Sequence, residues 1–231
     1  MVKKEKIGKV IKGTALGIGV SVFTILVLLV VFIIFAFVGG PLEVTKGAQN
    51  YESTMNKYTK EAAGRVHTGF FSFPETIPAS AFADGKEPSF YFSYKDTWDD
   101  PTCEVYLECE YSSEEYEKEI QRLKDTVYID KDYPKIERKL VYEDGSRFVK
   151  PVFIAIERSN HSYEYAMVLG DNKIAYIYTS FKSNLRKIKK IPHEYLPSDF
   201  EESLKGVKFG EGFNVYEVSK GEGSITLNYE R

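Results

Sequence analysis

Cysteine, tryptophan and histidine are scarce in this chain, with two, one and three copies among 231 residues. Both cysteines, Cys103 and Cys109, lie in one segment, CEVYLEC. On a strand rising about 3.3 Å per residue their Cα atoms stand about 20 Å apart, whereas a disulfide needs less than about 7 Å. They read as two buried thiols acting as small hydrophobes, so a disulfide-stapled framework is not expected. C-x5-C is also the wrong spacing for zinc hairpins. The histidines, His67, His161 and His193, are scattered, and none pairs with an evident nucleophile. Neither G-x-S-x-G, H-E-x-x-H, a Walker loop nor G-x-G-x-x-G occurs. No catalytic residue, cofactor or metal site is therefore assigned. Asp130-Lys131-Asp132 starts like a calcium loop, but Pro134 and Lys135 stand where the next ligand and the glycine belong. Trp98 beside Asp99-Asp100-Pro101 could stack on a sugar, with one Trp at an ordinary turn as the plainer reading, and Asn160-His161-Ser162 fits a glycosylation sequon by coincidence.

Charge is also missing from one long stretch, Lys12 to Glu43. Within it, residues 14–38 read TALGIGVSVFTILVLLVVFIIFAFV, whose only polar side chains are Thr14, Ser21 and Thr24. A bilayer core about 30 Å thick takes about 20 apolar residues of helix, and a helix with no polar face does not suit a water-soluble core. A cleaved signal peptide has a shorter run and a small-x-small site, while here Phe35, Phe37 and Val38 crowd the end. The expectation is an uncleaved signal-anchor over 13–38. Residues 1–12 carry five lysines against one glutamate. Positive charge stays in the cytoplasm, so the N-terminus is expected inside and the rest outside. Gly13 and Gly17 offer a helix-pairing face, with lipid packing as the alternative.

The remainder holds 26 basic and 33 acidic residues, an acidic balance that argues against a nucleic-acid partner. The whole pattern predicts a cytoplasmic basic tail over 1–12, a transmembrane helix over 13–38, a juxtamembrane helix and linker over 39–88, and an extracytoplasmic α+β domain over 89–231. Within 44–65, Ala48, Tyr51, Met55, Tyr58 and Ala62 recur at helical spacing. Phe70, Phe71 and Phe73 lie among prolines, suited either to the lipid interface or to the core. Strands are predicted at 89–95, 103–111, 152–158, 162–169, 173–180, 213–218 and 224–230. KLVYEDGSRFV reads as a hairpin around Asp144-Gly145. In CEVYLECE, Cys103, Val105, Leu107 and Cys109 face inward, and Glu104, Tyr106 and Glu108 face outward. Ser112 with Glu115 forms a capping box for a helix burying Tyr116, Ile120, Leu123 and Val127. Ser198 with Glu201 suggests another, burying Phe200 and Leu204 and stopping at Gly206. The fold expected is α+β with a mostly antiparallel sheet and two or three short helices.

The order Phe73-Pro74-x-x-Ile77-Pro78, a Tyr-rich strand, then CEVYLECEYSSEEYEKEIQRL resembles uncharacterised membrane-anchored proteins of Gram-positive bacteria. That resemblance covers residues 70 to about 125 and implies no activity. The one concentrated charge feature is Lys182, Arg186, Lys187, Lys189 and Lys190 in TSFKSNLRKIKKIP. On an acidic domain it suits an anionic surface polymer, lipid head groups or a protein partner's acidic face; a solvated loop is the plainer reading. Function is expected to be extracytoplasmic binding or sensing. The alternatives are a carboxylate-dependent surface hydrolase or a structural subunit of a membrane complex.

Overall fold

The computed structural model describes residues 20–34, 39–58, 70–96, 101–129, 137–145, 147–158, 162–180, 182, 184–201, 214–218 and 225–229. The chain divides into two units, the second beginning at Leu42. In the first, residues 20–34 form a helix, α1, on which every side chain is exposed. The Thr24 hydroxyl donates to the Val20 carbonyl at 2.9 Å, so its polarity is met within the helix. Among the described residues no helix is long and apolar enough to cross a membrane. Positions 13–19 and 35–38 of the expected span lie outside them.

The second unit is α+β. Its main sheet is formed by β1 (Leu42–Lys46), β2 (Ser89–Lys95), β3 (Thr102–Glu110), β6 (Val141–Glu143), β7 (Val152–Arg158), β8 (Ser162–Gly170) and β9 (Lys173–Ser180). Their order is β1-β2-β3-β9-β8-β7-β6, and every neighbouring pair is antiparallel. Two small sheets pair β4 (Val127–Ile129) with β5 (Glu137–Lys139), and β10 (Asn214–Val218) with β11 (Ile225–Tyr229). The β7–β8–β9 meander follows the expected strands closely. Its second turn places Asp171 and Asn172 at φ of 50° and 59°, the two positive values that a two-residue I′ turn requires.

Both faces of the sheet are covered. One face gathers Phe92, Val105, Leu107, Cys103, Cys109 and Tyr176 under α2 (Tyr51–Asn56), the 70–81 segment and α3 (Ser113–Asp125). The other gathers Tyr106, Tyr163, Tyr165 and Ile177 under Phe148, Ile188, Ile191, Leu196 and Phe200. A bulge in β7 at Ala155 turns Ala155 and Ile156 to the same face, and the Tyr128 hydroxyl donates to the Ala155 carbonyl. Phe70 and Phe73 are core residues, and Phe71 stacks on Tyr128.

Several expectations differ from what is found. Residues 42–46 are strand rather than helix, because they complete the edge of β2, from Leu42↔Lys95 to Lys46↔Tyr91. Gly47, at φ 85°, then breaks direction before Ala48, Tyr51, Met55 and Tyr58 bury their predicted face. Ala62 lies outside the described residues. Gly145 has the expected positive φ, but the strand pairing with β6 is β7, by Val141↔Ile154 to Glu143↔Val152. Residues 198–201 form a turn rather than a helix start. There Phe200 is buried, and Leu204 and Gly206 lie outside the described residues.

Candidate functional site

Ser112 begins α3 as expected. Its hydroxyl accepts from the Glu115 backbone N–H at 3.3 Å and donates to Glu115 Oε2 at 2.8 Å, so one orphan donor of the first turn is satisfied. Leu123 is fully buried, and Tyr116 and Ile120 pack at the core's margin. Val127 is exposed, because it lies in β4 after the helix has ended. The helix leaves part of its sheet face open. Between α3 and β6–β8 lies a groove of about 560 Å³, with Tyr116, Ile120, Phe153 and Val168 as apolar lining. Tyr142 stands on its wall, half-exposed and 5.1 Å from the Phe153 ring. Glu117 and Lys124 add one carboxylate and one ammonium.

Beneath α3 runs a chain of buried polar groups. The Tyr111 and Tyr176 hydroxyls are 2.6 Å apart, and Tyr176 donates to Glu119 Oε1 at 2.6 Å. Arg122 holds the same carboxylate through two N–H groups and donates to the Ser72 carbonyl at 2.7 Å. Ser72 in turn donates its N–H and hydroxyl to Glu164 Oε1, at 2.6 and 3.0 Å. Burial pushes the Tyr111 and Tyr176 hydroxyls well above the ordinary tyrosine range. These linked groups tie α3 and the 70–73 segment to the sheet.

The basic segment crosses the opposite face. Lys182 is buried and its ammonium meets Glu104 Oε2 at 2.6 Å. Glu104 is itself fully buried. Its carboxylate also accepts backbone N–H bonds from Lys189 at 2.9 Å, Lys190 at 2.7 Å and Ile191 at 3.3 Å. Successive N–H groups converging on one anion form a cradle that a carboxylate can fill. Ile188 and Ile191 are buried between the cations, whereas Arg186, Lys187, Lys189 and Lys190 are exposed. The five predicted cations therefore separate: one is a structural partner and four face solvent. Asn184 caps the turn by accepting from the Arg186 N–H at 2.8 Å.

Glu104 was expected on a solvated face. Alternation assigns the side of a strand but not whether that side is roofed, and the roof lies about eighty residues away in sequence. Glu164 escapes sequence reasoning for the same reason, since it meets Ser72 only through long-range packing, and although Lys182 stood out by its charge, its pairing with Glu104 is long-range too. Cys103 and Cys109 are free, buried thiols. Among the described residues no cluster of three or more His, Cys, Asp or Glu could hold a metal ion. His193 is exposed. His67, His161, Trp98, Asp99, Asp100, Asp130, Asp132 and Asn160 lie outside the described residues.

Comparison with known protein families, with curated proteins and with solved structures finds no match.

Proposed function

We propose that this chain is a single-pass membrane protein that holds an α+β binding or sensing module outside the cell, with its N-terminus in the cytoplasm. The observation that carries the reading is α1. Over residues 20–34 its side chains are apolar apart from Ser21 and Thr24, yet all are exposed around the whole circumference. Such a surface finds a suitable solvent in hydrocarbon rather than water. The uncharged run extends beyond the helix on both sides, from Lys12 to Glu43, and the lysines precede it. The groove beside α3 supports a binding role. Its apolar lining with a single acid and a single base resembles a ligand-holding site more than a pair of facing carboxylates.

Protease added outside intact protoplasts is expected to digest residues 42–231 and to leave the 13–38 segment with the membrane. Protection of the α+β unit until lysis would overturn the orientation. Release of the whole chain from membranes by alkaline carbonate would overturn the anchor.

A further inference from the structure

We propose that the strap formed by residues 182 and 184–191 is a membrane contact, with Arg186, Lys187, Lys189 and Lys190 meeting the phosphodiester head groups of the bilayer in which the chain is anchored. This rests on the anchor reading above. Strand register supplies the first argument. Leu42, where the chain enters the sheet after the apolar run, pairs with Lys95, and Lys95 pairs with Thr102. The next residue of β3, Cys103, pairs with Ser180, and the strap follows Ser180 in the chain. Entry from the anchor and departure into the strap thus share one end of the sheet. They are three strand spacings apart, about 14 Å. Only Gly39, Gly40 and Pro41 lie between Val38 and Leu42, four chain steps that reach at most about 14 Å. On the anchor reading, the covalent tether to that end of the sheet is short.

The strap is also built before any ligand arrives. Glu104 holds three of its backbone N–H groups and Lys182, while Ile188 and Ile191 anchor it in the core. The exposed cations therefore need little ordering on contact. Three acidic groups close to the strap are already engaged. Glu104 is consumed by the cradle, Glu201 accepts from the Leu185 N–H at 3.0 Å, and Asp199 faces Arg147. Lys189 Nζ donates to the Arg186 carbonyl at 3.3 Å, which leaves its charge available. Lys and Arg side chains held within a screening length of an anionic lipid surface are attracted to it.

The test uses the full chain in vesicles of phosphatidylcholine alone or mixed with phosphatidylglycerol. Amines are acylated and the modified lysines counted by mass analysis. Acylation of Lys187, Lys189 and Lys190 is expected to fall several-fold in the anionic vesicles. It should recover at about 1 M salt, where the screening length is about 3 Å. Lys86 and Lys173 serve as references, because both pair with Glu110 at the opposite end of β3, and their acylation should be the same in both vesicles. Equal acylation of the strap in both vesicles, with the chain retained through carbonate extraction, overturns this inference alone. Loss of the chain on extraction overturns the anchor and this inference with it. Protection by soluble polyphosphate but not by anionic lipid assigns the strap to a soluble polyanion and rejects the membrane contact.

Discussion

Glu104 shows how far one residue's role can depart from its local pattern. It sits on β3 between Cys103 and Val105, on the face that alternation assigns to solvent, and is nonetheless fully buried. A residue on a solvated face could be replaced at little cost, but the Lys182 ammonium and the strap's N–H groups make Glu104 a buried partner. Removing one member of a buried ion pair strands the other. Glu104→Ala should therefore lower stability by about 3–5 kcal/mol, read as a reduced urea midpoint at unchanged slope. A loss below about 1 kcal/mol would mean that the strap is held by its isoleucines alone. The two cysteines on the opposite face of β3 are buried, as the alternation says. Burial pushes the Cys109 thiol up to about 12, with the Tyr111 hydroxyl offsetting part of the shift, and burial raises Cys103 as well. Both thiols stay protonated in the fold at pH values where the unfolded chain releases them. Stability should then fall as pH rises from about 9 toward 12, by up to about 1.4 kcal/mol per unit for each thiol. Urea midpoints between about pH 8 and 9.5 check this, before the tyrosines of the unfolded chain ionise near 10. The double variant Cys103→Ala, Cys109→Ala should flatten the slope, and an unchanged slope would assign it to other groups.

At the scale of elements, what is legible depends on how local the determinants are. The capping box of α3 was readable because Ser112 and Glu115 are three residues apart and need no tertiary partner. Ser112→Ala should cost about 0.5–2 kcal/mol, with the loss visible as faster amide exchange over the first turn of α3. Exchange unchanged there would show that Ser80, whose hydroxyl also accepts from the Ser112 N–H at 3.3 Å, suffices alone. The meander β7–β8–β9 was readable for a similar reason, since its turns are short and its strands adjacent. By contrast β1 overlaps the start of the 44–65 stretch that helical spacing marks out, and is a strand. Leu42–Lys46 has no strong pattern of its own, and only the unpaired edge of β2 makes it a strand. The strap is an intermediate case. Its charge was evident, but the backbone cradle beneath was not. Because Lys189 and Lys190 hold Glu104 through their N–H groups rather than their side chains, Lys187→Gln, Lys189→Gln and Lys190→Gln together should shift stability by less than about 0.5 kcal/mol. Thermal unfolding of the triple variant measures this directly.

For the whole molecule, the sheet order explains where the folded unit begins. A boundary near residue 89 suits the strand signals, but the core includes Tyr51, Met55, Tyr58, Phe70 and Phe73, all before it. Tyr51 is 1% exposed and donates to the Pro74 carbonyl at 2.5 Å. Glu43 accepts from Lys57 and Tyr58, which holds its carboxyl below the usual range and ties β1 to the turn beyond α2. A chain starting at Ser89 should consequently lose cooperative unfolding and bind hydrophobic dyes, whereas one starting at Leu42 should unfold in a single transition. Equal cooperativity in the two would show that residues 42–88 are an appendage.

The pairing of β3 with β9 also sets a timetable. Glu110 is partnered by Lys173, so more than sixty residues must be made after β3 is complete before its second neighbour can dock. At about 5–20 residues per second, that interval is several seconds. Throughout it, the sheet that β1, β2 and β3 can form has an unpaired β3 edge, and its Tyr106 face lacks the residues from Phe148 onward that later cover it. Nascent chains paused in this window are the ones most open to intermolecular strand exchange, and a holding factor at the site of synthesis would act there rather than on the finished protein.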